Sequence, residues 1–130
     1  MSETYEIYAI KYGEVKERYR RDNLLMVDDH ASLMPIDFYI WVLRNDQRTI
    51  LVDTGFDQKE AASRGRAVIA EPRDVLKHLD IDADAIDTAI ISHLHFDHAG
   101  LRVGRVAPQH HGADLAGLIR VFGILQHTVN

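Results

Sequence analysis

The chain has 130 residues, of which 46% are hydrophobic and 27% charged, with a formal charge of −5. That length suits one domain with its own core, and so ordinary a composition excludes a disordered or fibrous chain. The acidic balance argues against binding nucleic acid, which needs clustered Lys and Arg; the one basic cluster, Lys16 to Arg21, is broken by Glu17 and followed by Asp22.

No cysteine is present, so disulfides, thiolate nucleophiles and thiolate metal ligands drop out. Any metal must be held by His, Asp or Glu. The opening Met1-Ser2-Glu3-Thr4-Tyr5-Glu6 lacks a basic region followed by an apolar stretch. No run approaches the roughly 20 apolar residues of a membrane span, so no membrane association and a cytoplasmic location are expected.

Tyr5 to Tyr12 mixes aromatic and β-branched residues in partial alternation and meets Gly13, which predicts a first strand closed by that glycine. Glu14 to Pro35 has no clean period. It predicts a long irregular excursion, suited to the rim of a substrate site, with His30 on a surface loop. Asp37 to Arg44 and Thr49 to Val52 predict a β-hairpin turned by Asn45-Asp46-Gln47-Arg48.

Pro72 to Leu79 predicts a helix, with Pro72 in its first turn and Val75, Leu76 and Leu79 on one buried stripe; His78 belongs to its solvated side. Thr88 to Ile91 is short, apolar and bounded by polar residues, as a buried strand is. From Leu101 the character changes: four of the eight glycines follow, Lys and Glu vanish, and Asp114 is the sole acid. Ala113 to Gln126 reads as a helix weakened by glycine.

The chemistry concentrates where the last predicted strand ends. His93, His95, Asp97 and His98 are four candidate ligands within six residues of Ser92-His93-Leu94-His95-Phe96-Asp97-His98-Ala99-Gly100. Imidazole and carboxylate are what zinc accepts when thiolate is absent. A strand reaching His93 points His93 and His95 the same way, towards one ion, and leaves Asp97 and His98 for a second. A metal pair acidifies water and polarises a carbonyl, so hydrolysis needs no side-chain nucleophile; Asp97 can orient the water or carry a proton. Solvated loop histidines are the competing reading, and three His with one Asp in so tight an order outweigh it.

Asp53-Thr54-Gly55 reads first as a strand-ending turn in which Asp caps backbone N–H groups and Gly55 supplies an unusual φ. Beside a metal, Asp53 has a second use: it can accept the free N–H of a ligating imidazole and fix its tautomer. His110, His111 and His127 read as loop or terminal histidines.

With these residues in hand, the chain resembles the metallo-β-lactamase-fold hydrolases, and among them the N-acyl homoserine lactone lactonases, known for quorum quenching. The likeness rests on His93-Leu94-His95-Phe96-Asp97-His98-Ala99-Gly100 and on Ile50-Leu51-Val52-Asp53-Thr54-Gly55-Phe56. For the lactonase branch it rests on Tyr8 to Gly13 and Pro35 to Arg44. It implies an α/β fold, the N-terminal half of an αββα sandwich with a mixed sheet and flanking helices. It further implies one partial domain over residues 1–130, family-like over 4–100 with an atypical tail over 101–130.

By the same resemblance His93 and His95 bind a first zinc, Asp97 and His98 a second, and Asp53 supports them from behind. The implied reaction is attack of a metal-bound hydroxide on a lactone or related ester. Such proteins complete the site with a further His, a bridging Asp and a last His, and no residue here matches those positions. The change after Leu101 suggests a reading-frame shift, with plain truncation as the alternative. Activity of this form is then expected to be impaired, and an uncovered sheet face calls for a partner such as a second copy. A thioester or β-lactam hydrolase of the same fold, and a non-catalytic metal-binding or structural remnant, are the alternatives.

Overall fold

A computed structural model describes residues 4–101, and the whole architecture follows from one five-stranded sheet in the order β4-β1-β2-β3-β5. Strand β1 spans Glu6–Val15, β2 Ile36–Arg44, β3 Thr49–Val52, β4 Ala67–Val68 and β5 Ala89–Ile90. Helix α1 covers Arg20–Asn23, α2 Gln58–Ser63, α3 Pro72–Lys77 and α4 Phe96–Ala99. The strand pairs β1–β2, β1–β4 and β2–β3 are antiparallel, and β3–β5 is parallel. The sheet is therefore mixed, as the α/β reading requires.

The hairpin forms where the sequence places it, one residue longer at Ile36. Asn45 accepts the N–H groups of Gln47 and Arg48 on its side-chain oxygen, at 3.0 and 2.9 Å, which closes the turn. Strand β1 departs from the prediction. Gly13 does not end it: the strand runs on to Val15 through a register shift between Lys11 and Gly13. A Cβ at Gly13 would stand 3.0 Å from the Ala67 carbonyl, so the missing side chain admits β4 alongside rather than stopping the strand.

The excursion after Val15 is less irregular than its sequence suggests, since α1 and a bridge between Tyr19 and Leu33 tie it together. Helix α2 escapes prediction although it carries a signal. Asp57 accepts from the Glu60 N–H, the first half of a capping box spaced Asp-x-x-Glu. Helix α3 starts at Pro72 as expected and ends two residues early at Lys77, where the chain turns through Asp80 at φ 55°.

Alternation along the strands sorts the residues between two faces. Tyr12, Ile40, Val42, Leu51 and Ala89 point to the helical side and pack with Phe56, Ala61, Val75, Leu76, Ile81 and Ile86. The other face carries Ile7, Tyr39 and Trp41, which are 65%, 40% and 41% exposed. The tail from residue 102, the helix expected over Ala113 to Gln126, and His110, His111 and His127 lie outside the described residues.

Gly55 is a tight point behind the hairpin. Its φ is +74°, and a Cβ there would meet the Tyr12 ring at 2.9 Å and Pro72 at 3.0 Å. Gly55→Ala is therefore expected to lower stability by about 1–3 kcal/mol, from overpacking and a left-handed backbone together. A urea midpoint equal to that of the parent chain would show that this approach is looser than described.

Candidate metal centre

Parallel pairing of β3 and β5 sets their C-terminal ends side by side, where ligand sites form in sheets of this kind. Asp53 follows β3 and Ser92 follows β5, and the two meet. The Ser92 N–H donates to Asp53 Oδ1 at 2.8 Å, and the Ser92 hydroxyl lies 2.9 Å from both carboxylate oxygens. Asp53 has φ 61°, a left-handed conformation that Asp and Asn tolerate better than other side chains.

Strand β5 ends at Ile90, one residue short of the expected Ile91 and before His93, and His95 stands at the N-cap position of α4. A two-residue strand stops once its pairing with Leu51 and Val52 is exhausted, because β3 itself ends at Val52. Strand alternation is therefore not what aligns the two histidines. The bend after β5 does so, leaving His93 Nε2 3.1 Å from His95 Nδ1. His98 Nε2 stands 3.3 Å from Asp97 Oδ2, and the His93 and His98 rings lie 3.8 Å apart between centroids.

Asp53 meets a histidine of this group. His98 Nδ1 donates to Asp53 Oδ2 at 2.7 Å, across 45 positions of sequence, which turns Nε2 towards Asp97. The Asp53 turn reading holds as well, since the same carboxylate caps the Ser92 amide and Gly55 takes a positive φ. Further bonds seat α4. The Thr54 N–H and hydroxyl both donate to the His98 carbonyl, at 2.7 and 3.2 Å, and the Leu101 N–H donates back to Thr54 Oγ1. Ser92 and Thr54 carry no chemistry of their own that singles them out in sequence. Only the neighbouring carboxylate gives them a role.

The electrostatics follow from these contacts. Burial pushes the Asp53 carboxyl up, but the bonds from His98 and from the Ser92 amide and hydroxyl outweigh it and hold its pKa below the ordinary value. Burial pulls His98 down, yet the hydrogen bond and charge of Asp53, with the charge of Asp97, raise it overall. His93 is lowered by burial and by the neighbouring His98 and His95. Tyr12, buried beneath, is pushed far up by burial and by the charges of Asp97 and Asp53, so its phenol stays a neutral donor.

The donor set suits a divalent ion. Two ligands on one zinc, each about 2.0–2.1 Å from it at a tetrahedral angle, stand about 3.3 Å apart. The His93–His95 and His98–Asp97 spacings of 3.1 and 3.3 Å match that separation. The count is smaller than a whole coordination sphere: among the described residues no group of three or more such side chains is arranged to hold an ion. His30 and His78 are exposed and stand apart from the centre, as their sequence context suggests.

Residues 39–101 match the family model of the metallo-beta-lactamase superfamily. That match covers just under half of the chain, and over it the segment resembles that superfamily. Among solved structures the chain is similar to a quorum-quenching N-acyl homoserine lactone lactonase, at 26% identity and a TM-score of 0.57 over 77% of this chain and 42% of that one. It is similar at 23% identity and a TM-score of 0.54 to an N-acyl homoserine lactone hydrolase with N-hexanoyl-L-homoserine bound at its catalytic metal centre, over 77% and 44%. It shares its fold with a probable metal-dependent hydrolase from Staphylococcus aureus, at 16% identity and a TM-score of 0.51 over 79% and 41%. The chain thus spans less than half the length of the solved structures it matches. No curated protein matches it. The sheet and helices described above are those of the N-terminal half of the metallo-β-lactamase fold. No helix among the described residues is long and apolar enough to cross a membrane.

Proposed function

We propose that this chain is the metal-binding half of a zinc-dependent hydrolase that opens a lactone of the acyl homoserine lactone type. The observation that carries the reading is the pairing of donors: imidazole with imidazole at 3.1 Å, and imidazole with carboxylate at 3.3 Å. Similarity to a lactonase at 26% identity supports the choice of substrate class.

Zinc bound here supplies an acidified water and a Lewis acid for the carbonyl oxygen. His93 and His95 would hold one ion through Nε2 and Nδ1, and Asp97 and His98 a second through Oδ2 and Nε2. Asp53 keeps the proton of His98 on Nδ1 and orients the ring. The free oxygen of Asp97 orients water or takes up its proton as the ring opens to a hydroxy acid.

Elemental analysis of the purified chain together with turnover of an acyl homoserine lactone tests this reading. Zinc near two per chain, with turnover, supports it; a metal-free, inactive chain sinks it. His95→Ala is expected to remove one ion from this chain, and in an active full-length relative to abolish hydrolysis, since it deletes a direct ligand. Unchanged zinc content in that variant would exclude His95 from the centre.

A second reading rests on the donor count. With two protein donors per ion among the described residues, the chain suits weak metal binding without catalysis, and its exposed Tyr39 and Trp41 face suits a second copy. Zinc bound at one or fewer per chain in a dimer without turnover favours that alternative. A thioester or β-lactam substrate is the remaining possibility for the same centre, and a hydrolysis panel separates it from a lactone.

A further inference from the structure

Tyr12 is fully buried on β1, and its ring packs against Phe38 and Phe56 at centroid distances of 6.3 and 5.1 Å. A hydroxyl placed in such a cluster needs a partner, because an unpaired buried donor costs about 1–3 kcal/mol. It donates to the backbone carbonyl of Asp97, 3.2 Å away and 85 positions along the chain, and the Phe56 backbone bonds it too. The next carbonyl, that of His98, is held separately by the Thr54 N–H and hydroxyl. Two consecutive carbonyls of the four-residue α4 are thus pinned from beneath by β1 and by the turn after β3. Their side chains form one donor pair, with His98 Nε2 3.3 Å from Asp97 Oδ2. The His93 and His95 side chains are exposed and meet each other, and the His93 ring also lies against the His98 ring.

We propose that Tyr12 is a positioning residue for one of the two ions. Its hydroxyl fixes the Asp97 backbone, which sets the Asp97 carboxylate against His98 Nε2; Tyr12 makes no bond to the His93–His95 pair, which the bend after β5 aligns. This rests on the two-ion reading for its consequence, but the tether itself is a property of the metal-free chain.

Tyr12→Phe removes the hydroxyl and keeps the ring. Phe38→Leu is the control, since it trims the same aromatic cluster without touching Asp97. Each full-length chain is titrated with cobalt(II) against a competing chelator. The expected result for Tyr12→Phe is a weaker ion binding at one site by about 10- to 100-fold, as loss of an outer support causes, with the other site unchanged. Phe38→Leu should lower the urea midpoint and leave the ratio of the two affinities as it was. Both ions weakened alike by Tyr12→Phe, or neither weakened, overturns the proposal.

Backbone amide exchange in the metal-free chains is the independent readout. The His98 and Ala99 amides donate to the His95 carbonyl at 3.0 Å and report on the turn directly. Tyr12→Phe should speed their exchange by about 5-fold, the worth of one net hydrogen bond, beyond any change in global stability. Should the parent chain bind fewer than two ions, the two-ion reading fails and this exchange decides alone: faster exchange at both amides sustains the tether, and unchanged exchange ends it.

Discussion

Phe56→Ala is expected to cost about 3–5 kcal/mol of folding stability, the range for deleting a buried aromatic side chain. Phe56 is fully buried and is the hub of an aromatic cluster. Its ring meets Phe38 and Tyr12 edge to face at 5.0 and 5.1 Å, and Phe96 at 5.2 Å. Edge-to-face contacts add to the area term because a positive ring edge faces a negative ring surface. Phe96 stands between His95 and Asp97 in sequence, so the cavity left by Phe56 would border the segment that carries them. Against a total stability of about 5–15 kcal/mol for an ordinary domain, such a loss leaves little in reserve. Urea denaturation followed by Trp41 fluorescence measures it. A loss below about 1 kcal/mol would mean that the neighbours collapse into the space, against the spread seen for large-to-small core changes.

Asp53→Ala carries the second large effect, and it acts on both stability and metal. The carboxylate accepts from the Ser92 amide, sits 2.9 Å from the Ser92 hydroxyl and accepts from His98 Nδ1. Its removal strands these groups at a site that is 5% exposed, at a cost of about 1–3 kcal/mol. Alanine also fits the left-handed backbone at φ 61° poorly. Metal affinity should fall by about 10- to 100-fold, because His98 loses the acceptor that orients its ring. Asp53→Asn separates the two effects. Asparagine tolerates the same backbone and keeps one acceptor oxygen without the charge, so stability should recover in large part while metal affinity stays intermediate. If Asp53→Ala binds zinc as tightly as the parent chain, Asp53 is a turn residue and nothing more.

The two kinds of expectation fared differently, for a physical reason. The hairpin was legible because its signals are local: β-branched and aromatic runs on either side of Asn45, whose side chain closes the turn by itself. The start of α3 was legible through Pro72 for the same cause. Gly13 misled because a glycine between polar residues reads as a stop, whereas here it makes room for β4, which lies more than fifty positions away. Strand β4 is two residues long and has no period to detect. Helix α2 was marked by Asp57 and Glu60, but six residues without a strong apolar stripe are below what pattern alone resolves.

At the centre itself, sequence determined the chemistry and tertiary structure the arrangement. Four imidazole or carboxylate donors within six residues, in a chain without cysteine, are legible as candidate ligands because donor identity is a property of side chains. Which nitrogen of His98 is free, what holds Asp97, and why His93 faces His95 are settled only when β3 and β5 lie parallel. That pairing needs a crossover, and the crossover brings Asp53 to His98 over 45 positions while β1 brings Tyr12 to Asp97 over 85. Periodicity carries no information at such separations. Strand order does, and it exists only in the folded chain.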